Sequence, residues 1–111
     1  MKIEDSLKII KEIPVIERMQ PSGSYFYTGN TSSDIDVIVL CKNPEELLKF
    51  GFFLKRSYTN GSQCWRSGNI DLVVVRTLEE FNTWVSAAVE CRRVKADKKL
   101  AIEIHRRIVG T

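Results

Sequence analysis

Two β-branched runs, Ile35-Asp36-Val37-Ile38-Val39-Leu40-Cys41 and Ile70-Asp71-Leu72-Val73-Val74-Val75, constrain this chain more than any other feature. Each is almost continuously apolar and too short for a buried helix, the pattern of a central strand covered on both faces. A carboxylate stands second in each run. Side chains alternate faces along a strand, so Asp34 and Asp36 project the same way from the start of the first run. Asp71 holds the matching place in the second. An unpaired buried carboxylate is costly, and three that converge repel one another. Neither run contains Lys or Arg, so a hard divalent cation with oxygen ligands, Mg2+ or Mn2+, is the expected counter-charge. Taken singly, Asp34 can also cap a turn after Ser32-Ser33, and Asp71 can face solvent at a strand edge. The conjunction of all three marks a site.

The remaining segments arrange themselves around these strands. Ile3, Leu7 and Ile10 give residues 3–13 an amphipathic helical period, stopped before Pro14. Pro21-Ser22-Gly23-Ser24 breaks the pattern, Tyr25-Phe26-Tyr27 reads as a short aromatic strand, and residues 28–33 read as a loop. Asn43-Pro44-Glu45-Glu46 opens a helix with a capping box, which Gly51 ends. Residues 52–57 and 63–67 form a hairpin around Thr59-Asn60-Gly61. Thr77-Leu78-Glu79-Glu80 is a second capping box, ahead of a helix bearing Phe81, Trp84, Val85, Ala88 and Val89 on one side. A last helix over residues 97–109 carries Leu100, Ile104 and Ile108 as its stripe, and Gly110 closes it. The expected fold class is α/β (α+β): one domain over residues 1–111, with a mixed sheet and helices packed mainly on one face.

Composition excludes several classes. With 111 residues, 43% hydrophobic and 28% charged, the chain is an ordinary globular sequence. A net charge of +3 is too small to imply nucleic acid by itself. No apolar run approaches the ~20 residues of a membrane span, and the N-terminus lacks the apolar stretch of a signal peptide. A cytoplasmic location with no membrane partner is the expectation. Cys41, Cys64 and Cys91 are odd in number and widely spaced, so buried free thiols are expected.

Upstream of the first carboxylates, Gly23-Ser24 stands at a break between elements. Glycine lets a backbone approach an anion closely, and the Ser hydroxyl with nearby N–H groups can hold phosphate oxygens. Nine residues separate this pair from Asp34-Ile35-Asp36. Gly23-Ser24, that spacer, Asp34-Ile35-Asp36 running into an apolar strand, and Asp71 in Asn69-Ile70-Asp71-Leu72-Val73 together resemble the signature of the DNA polymerase beta-like nucleotidyltransferase superfamily. The resemblance spans residues 22–75 and is nearest to the minimal stand-alone nucleotidyltransferases of toxin–antitoxin pairs and bacteriophages.

That resemblance implies a palm-like sheet and transfer of a nucleoside monophosphate from a triphosphate, such as ATP, to an acceptor hydroxyl. It also implies the roles. Asp34 and Asp36 would hold two divalent ions about 3.5–4 Å apart. Asp71 would bind the metal nearer the acceptor or take the acceptor's proton, and Gly23 and Ser24 would hold the β and γ phosphates. Minimal members commonly carry an Arg in the Gly-Ser loop. This chain has none there, so Arg66, Lys55 and Arg76 become candidates for that charge. The chain is small, so the acceptor is expected to be a macromolecule, RNA or protein, and a partner protein is possible.

Other residues are less specific. Trp65, Trp84, Tyr25 and Tyr27 can stack on a base, although aromatics in such elements usually fill a core. His105 has no ligand-spaced partner and reads as a surface histidine. Residues 92–107 hold seven basic side chains against two acidic ones, a local excess of +5. Two alternatives therefore stay open: a catalytically silent palm that binds nucleotide or protein, and an RNA-binding module using the basic C-terminal helix.

Overall fold

The structure is a computed structural model that describes residues 3–30 and 34–110. Its strands are β1 (Arg18–Ser22), β2 (Ile35–Leu40), β3 (Phe53–Ser57), β4 (Gln63–Ser67) and β5 (Ile70–Val75). They form one mixed sheet in the spatial order β1-β2-β5-β4-β3. The two β-branched runs are β2 and β5, paired in parallel with Val37 beside Leu72 and Val39 beside Val74. The remaining pairs, β1–β2, β5–β4 and β4–β3, are antiparallel. All six residues of β5 are buried, which explains why it reads as an apolar run broken only by Asp71.

Helices α1 (Ile3–Lys11), α2 (Gly23–Thr28), α3 (Leu78–Arg93) and α4 (Lys98–Ile108), with a 3-10 helix (Pro44–Phe50), cover the sheet. They lie on both faces. Ile10, Ile13, Leu47 and Phe52 pack over Val37, Val39, Leu72 and Val74 on one side. Tyr27, Phe81, Trp84, Ala88, Cys91 and Ile104 pack over Ile38, Leu40, Val73 and Val75 on the other. Three of the four α-helices, α2, α3 and α4, share the second face, in line with helices mainly on one face, while α1 and the 3-10 helix cover the other. Central strands that are apolar on both faces need cover on both, and each Val or Leu fully buried there stabilises the fold by about 1.5–3 kcal/mol. Cys41, Cys64 and Cys91 are free and buried, as expected. Among the described residues, no helix is long and apolar enough to cross a membrane.

Local chemistry accounts for most boundaries. The hairpin turn has Tyr58 N–H donating to Ser62 O at 2.8 Å and Gly61 N–H to Tyr58 O at 3.0 Å. Thr77 caps α3 by accepting from Glu80 N–H at 3.1 Å, while its hydroxyl donates to the Glu80 carboxylate at 2.9 Å. α3 ends in a Schellman arrangement, with Ala96 N–H on Cys91 O at 2.9 Å and Lys95 N–H on Arg92 O at 3.1 Å. Lys95 takes the left-handed position there, at φ 50°.

Three expectations are revised. Tyr25-Phe26-Tyr27 lies in α2, and the strand before β2 is β1, which pairs with it antiparallel through Pro21 and Val37. β1 is an edge strand, where a proline costs no inward ladder bond. The segment after Asn43 is a 3-10 helix without the capping box, because Asn43 makes no side-chain cap and Glu46 N–H bonds the Asn43 carbonyl at 3.1 Å. On α3, Val89 is exposed, and the buried side is Phe81, Trp84, Ala87, Ala88 and Cys91.

Candidate functional site

The sheet register builds the site. Ser22 pairs with Asp36, Asp36 with Asp71, and Asp71 with Arg66, so one row of side chains crosses β1, β2, β5 and β4. Asp36 and Asp71 lie on the face carrying Ile38 and Val73, beneath α2, α3 and α4, and Asp34 sits two residues before Asp36. The three aspartates singled out in the sequence are thus neighbours at the starts of the two central strands.

Arg66 binds two of them. Its Nη1 donates to Asp34 Oδ2 at 3.0 Å and to the Asp71 oxygens at 2.9 and 3.1 Å, and its Nη2 donates to Asp34 Oδ1 at 3.1 Å. Lys55 Nζ stands 3.5 Å from Asp71 Oδ2. A bulge between Leu54 and Arg56 makes Lys55 the extra residue of β3, and this re-aims its side chain toward Asp71. Charge-assisted, forked contacts of this kind are strong and orienting. The hydrogen bond from Arg66 holds the Asp34 carboxyl below the usual carboxylate range.

Asp36 is the exception. Among the described residues no cation lies within ion-pair distance of it. Burial, then the charges of Asp71 and Asp34, push its carboxyl up to about 6. Gly23 presses against it from the β1–α2 junction. At φ +75° that glycine is in left-handed geometry, and a Cβ there would fall 2.1 Å from Asp36 Oδ2. Gly23 and Ser24 form the first turn of α2, and both face the same cavity as Asp34 and Asp36.

That cavity measures about 860 Å³ and runs from the carboxylates to α3 and α4. Its far wall includes Tyr58, Trp84, Lys98, Ala101 and His105. Tyr58 and Trp84 rings lie 5.8 Å apart, and Trp84 and His105 5.7 Å apart, giving a continuous aromatic wall. His105 Nδ1 donates to Ala101 O at 2.7 Å, which leaves Nε2 facing the Tyr27 hydroxyl at 3.4 Å. Burial raises Tyr58 to about 12 and raises Tyr27 further.

The surface reading of His105 is therefore corrected. The inward stripe of α4 is buried Ile104 with half-buried Ala101, His105 and Ile108 at helical spacing, and Leu100 is exposed. Taking Ala101 into the stripe would have placed His105 inward. Trp65 belongs to the opposite core and has no part in the cavity, and Tyr25 lies outside it. Tyr58 carried no sequence signal beyond its place after a strand. The roles of Lys55 and Arg66 depend on strand register, which the sequence does not display.

The donor set fits a hard divalent cation in its chemistry: three carboxylates on one face, one of them unpaired and disfavoured in its charged form. As they stand, with Arg66 between Asp34 and Asp71, no group of three acidic, His or Cys side chains among the described residues is gathered closely enough to hold an ion. Arg66 is one-third exposed, so its side chain has room to leave. The chain matches no protein-family model, no curated protein and no solved structure.

Proposed function

We propose that this chain is a metal-dependent nucleotidyltransferase that moves a nucleoside monophosphate from a triphosphate to an acceptor hydroxyl, releasing pyrophosphate. The observation carrying this reading is the meeting of Asp34, Asp36 and the Gly23-Ser24 turn on one wall of a cavity large enough for a nucleotide. Asp34, Asp36 and Asp71 would hold Mg2+ or Mn2+, which supplies Lewis-acid charge to the phosphates when bound. Backbone N–H groups around Gly23 and the Ser24 hydroxyl orient phosphate oxygens. Trp84 and Tyr58 border the space left for base and sugar. Arg66 and Lys55 bring the positive charge that the Gly-Ser loop lacks. The acceptor oxygen bonds to the α-phosphorus as the bond to pyrophosphate breaks, and its proton goes to a carboxylate.

A second reading has its own observation. Arg66 already neutralises Asp34 and Asp71, an arrangement that favours a catalytically silent fold that retains nucleotide binding. Calorimetric titration of each nucleoside triphosphate, with and without Mg2+, into wild type and Asp36→Asn tests both. Metal-dependent binding lost in the variant, with label transfer from an α-labelled triphosphate to RNA or protein, supports the enzyme. Binding that ignores metal and Asp36 supports the silent fold. No binding of any triphosphate refutes both.

A further inference from the structure

Behind α2, on the side away from the carboxylates, lies a shallow depression of about 750 Å³ bordered by Tyr25, Phe26, Arg92 and Lys95. Its aromatics and its cations are more than sixty residues apart in sequence, and α2 packing on α3 brings them together. The Arg92 guanidinium lies 4.6 Å from the centre of the Phe26 ring. Tyr25 is half-buried, with its ring in no aromatic pair among the described residues. Arg92 and Lys95 are exposed, and no described carboxylate is within ion-pair distance of either; the neighbouring Arg93 is the one paired, with Glu90. Tyr27 and Thr28 border this depression and the main cavity alike, so the two adjoin at the end of α2.

We propose that this depression binds a single-stranded polynucleotide, the acceptor of the reaction proposed above, on which this inference rests. Every base has a π-face, so half-exposed rings beside cations hold a strand with little regard to sequence. A guanidinium resting on a ring offers a second flat surface for stacking while it meets a phosphate. Unpaired Arg92 and Lys95 match a polyanion in charge. An acidic protein would use the cations and leave the rings idle.

Fluorescence anisotropy with a short labelled oligouridylate tests this on the full chain, across a salt series. Tyr25→Leu keeps an apolar helical residue and removes the ring; binding is expected to weaken about ten-fold with the salt slope unchanged. Arg92→Gln and Lys95→Gly are each expected to lower that slope by about 0.7. Lys95→Gly suits the left-handed position it would occupy, so an equal or higher Tm shows that the loss is not one of folding. The proposal is overturned if wild type does not bind the oligomer. It is overturned too if all three variants bind unchanged while neutralising Lys98 and Lys99 on α4 abolishes binding, or if polyglutamate binds as tightly as RNA. Triphosphate titration of the same proteins separates the two ideas. Nucleotide binding without oligomer binding overturns only this inference; oligomer binding without nucleotide binding overturns the enzyme reading and the acceptor role with it, and leaves the strand-binding depression standing.

Discussion

Asp36 and Asp71 stand side by side across the parallel β2–β5 pair, two carboxylates on one face, Asp71 buried and Asp36 half-buried. Arg66 reaches Asp71 and Asp34 and stops short of Asp36. The cluster is therefore neutralised unevenly, and its leftover charge sits on the one aspartate against which Gly23 is packed.

Stability without metal should fall as pH rises through that charge. Asp36 titrates near 6 in the fold and about 3.9 unfolded, so between those values the folded state binds more protons. Its contribution is fully present below the unfolded pKa and lost as pH passes the folded one. Asp34 is shifted the other way, so its contribution disappears only at pH values below the usual carboxylate range. Asp36→Asn should be about 1–3 kcal/mol more stable than wild type at neutral pH in chelator, and should lose the decline between pH 4 and 6. Urea melts across that range measure it; a variant less stable than wild type at pH 7.5 would refute it.

Arg66→Gln should release Asp34 and Asp71 from their shared partner. Without metal, Tm is expected to fall by about 5 °C, and the apparent pKa of Asp36 to rise above 6, because Arg66 now lowers it. Adding Asp71→Asn should recover part of the loss, since the exposed repulsion is removed. A double-mutant cycle showing no coupling between positions 66 and 71 would contradict the contact.

Gly23 and Gly29 form a controlled comparison. Both have φ near +75°, at +75° and +77°, so alanine at either place meets the same left-handed strain of about 1–2 kcal/mol. A Cβ at position 29 meets nothing within 4 Å, whereas one at position 23 meets Asp36 Oδ2, Cγ and Cβ at 2.1, 2.8 and 2.9 Å. Rotating the carboxylate moves Oδ2 and Cγ but cannot relieve the contact to Cβ. Denaturant melts should show Gly23→Ala less stable than Gly29→Ala by a further 1–3 kcal/mol or so, about the range for overpacking. Equal losses would mean that Asp36 yields freely.

The two tryptophans report on opposite faces of the sheet. Trp84 lines the cavity and Trp65 is in the other core. In Trp65→Phe, a nucleoside triphosphate with Mg2+ should quench the remaining emission, and in Trp84→Phe it should not. Quenching in the second variant alone would move the nucleotide away from α3.

What the sequence displays, and what it hides, follows from how local each cause is. β2 and β5 announce themselves because burial on both faces demands an unbroken apolar run. The hairpin and the start of α3 rest on short-range chemistry at Asn60-Gly61 and Thr77. The three aspartates stand out because they violate that apolar rule. β1, with Pro21 and no alternation, is a strand chiefly because β2 offers it an edge. α2 hides behind an aromatic run that suits a strand, yet it is helical, bounded by left-handed Gly23 and Gly29 and anchored in the core through Tyr27. The counter-charge of the aspartates lies on β3 and β4, and only register and a bulge bring Arg66 and Lys55 to them.

β5 is the last strand in the chain and the middle one in the sheet. Without it, β1 with β2 and β3 with β4 would be two separate ribbons, and the inner edges of β2 and β4 would be bare backbone. Its insertion seals both edges at once. The same insertion carries Asp71 in between Asp36 and Arg66, so the repulsive neighbour and the cation arrive together. Closure of the sheet and the charged row thus depend on one strand, and a chain without residues 70–75 would have neither.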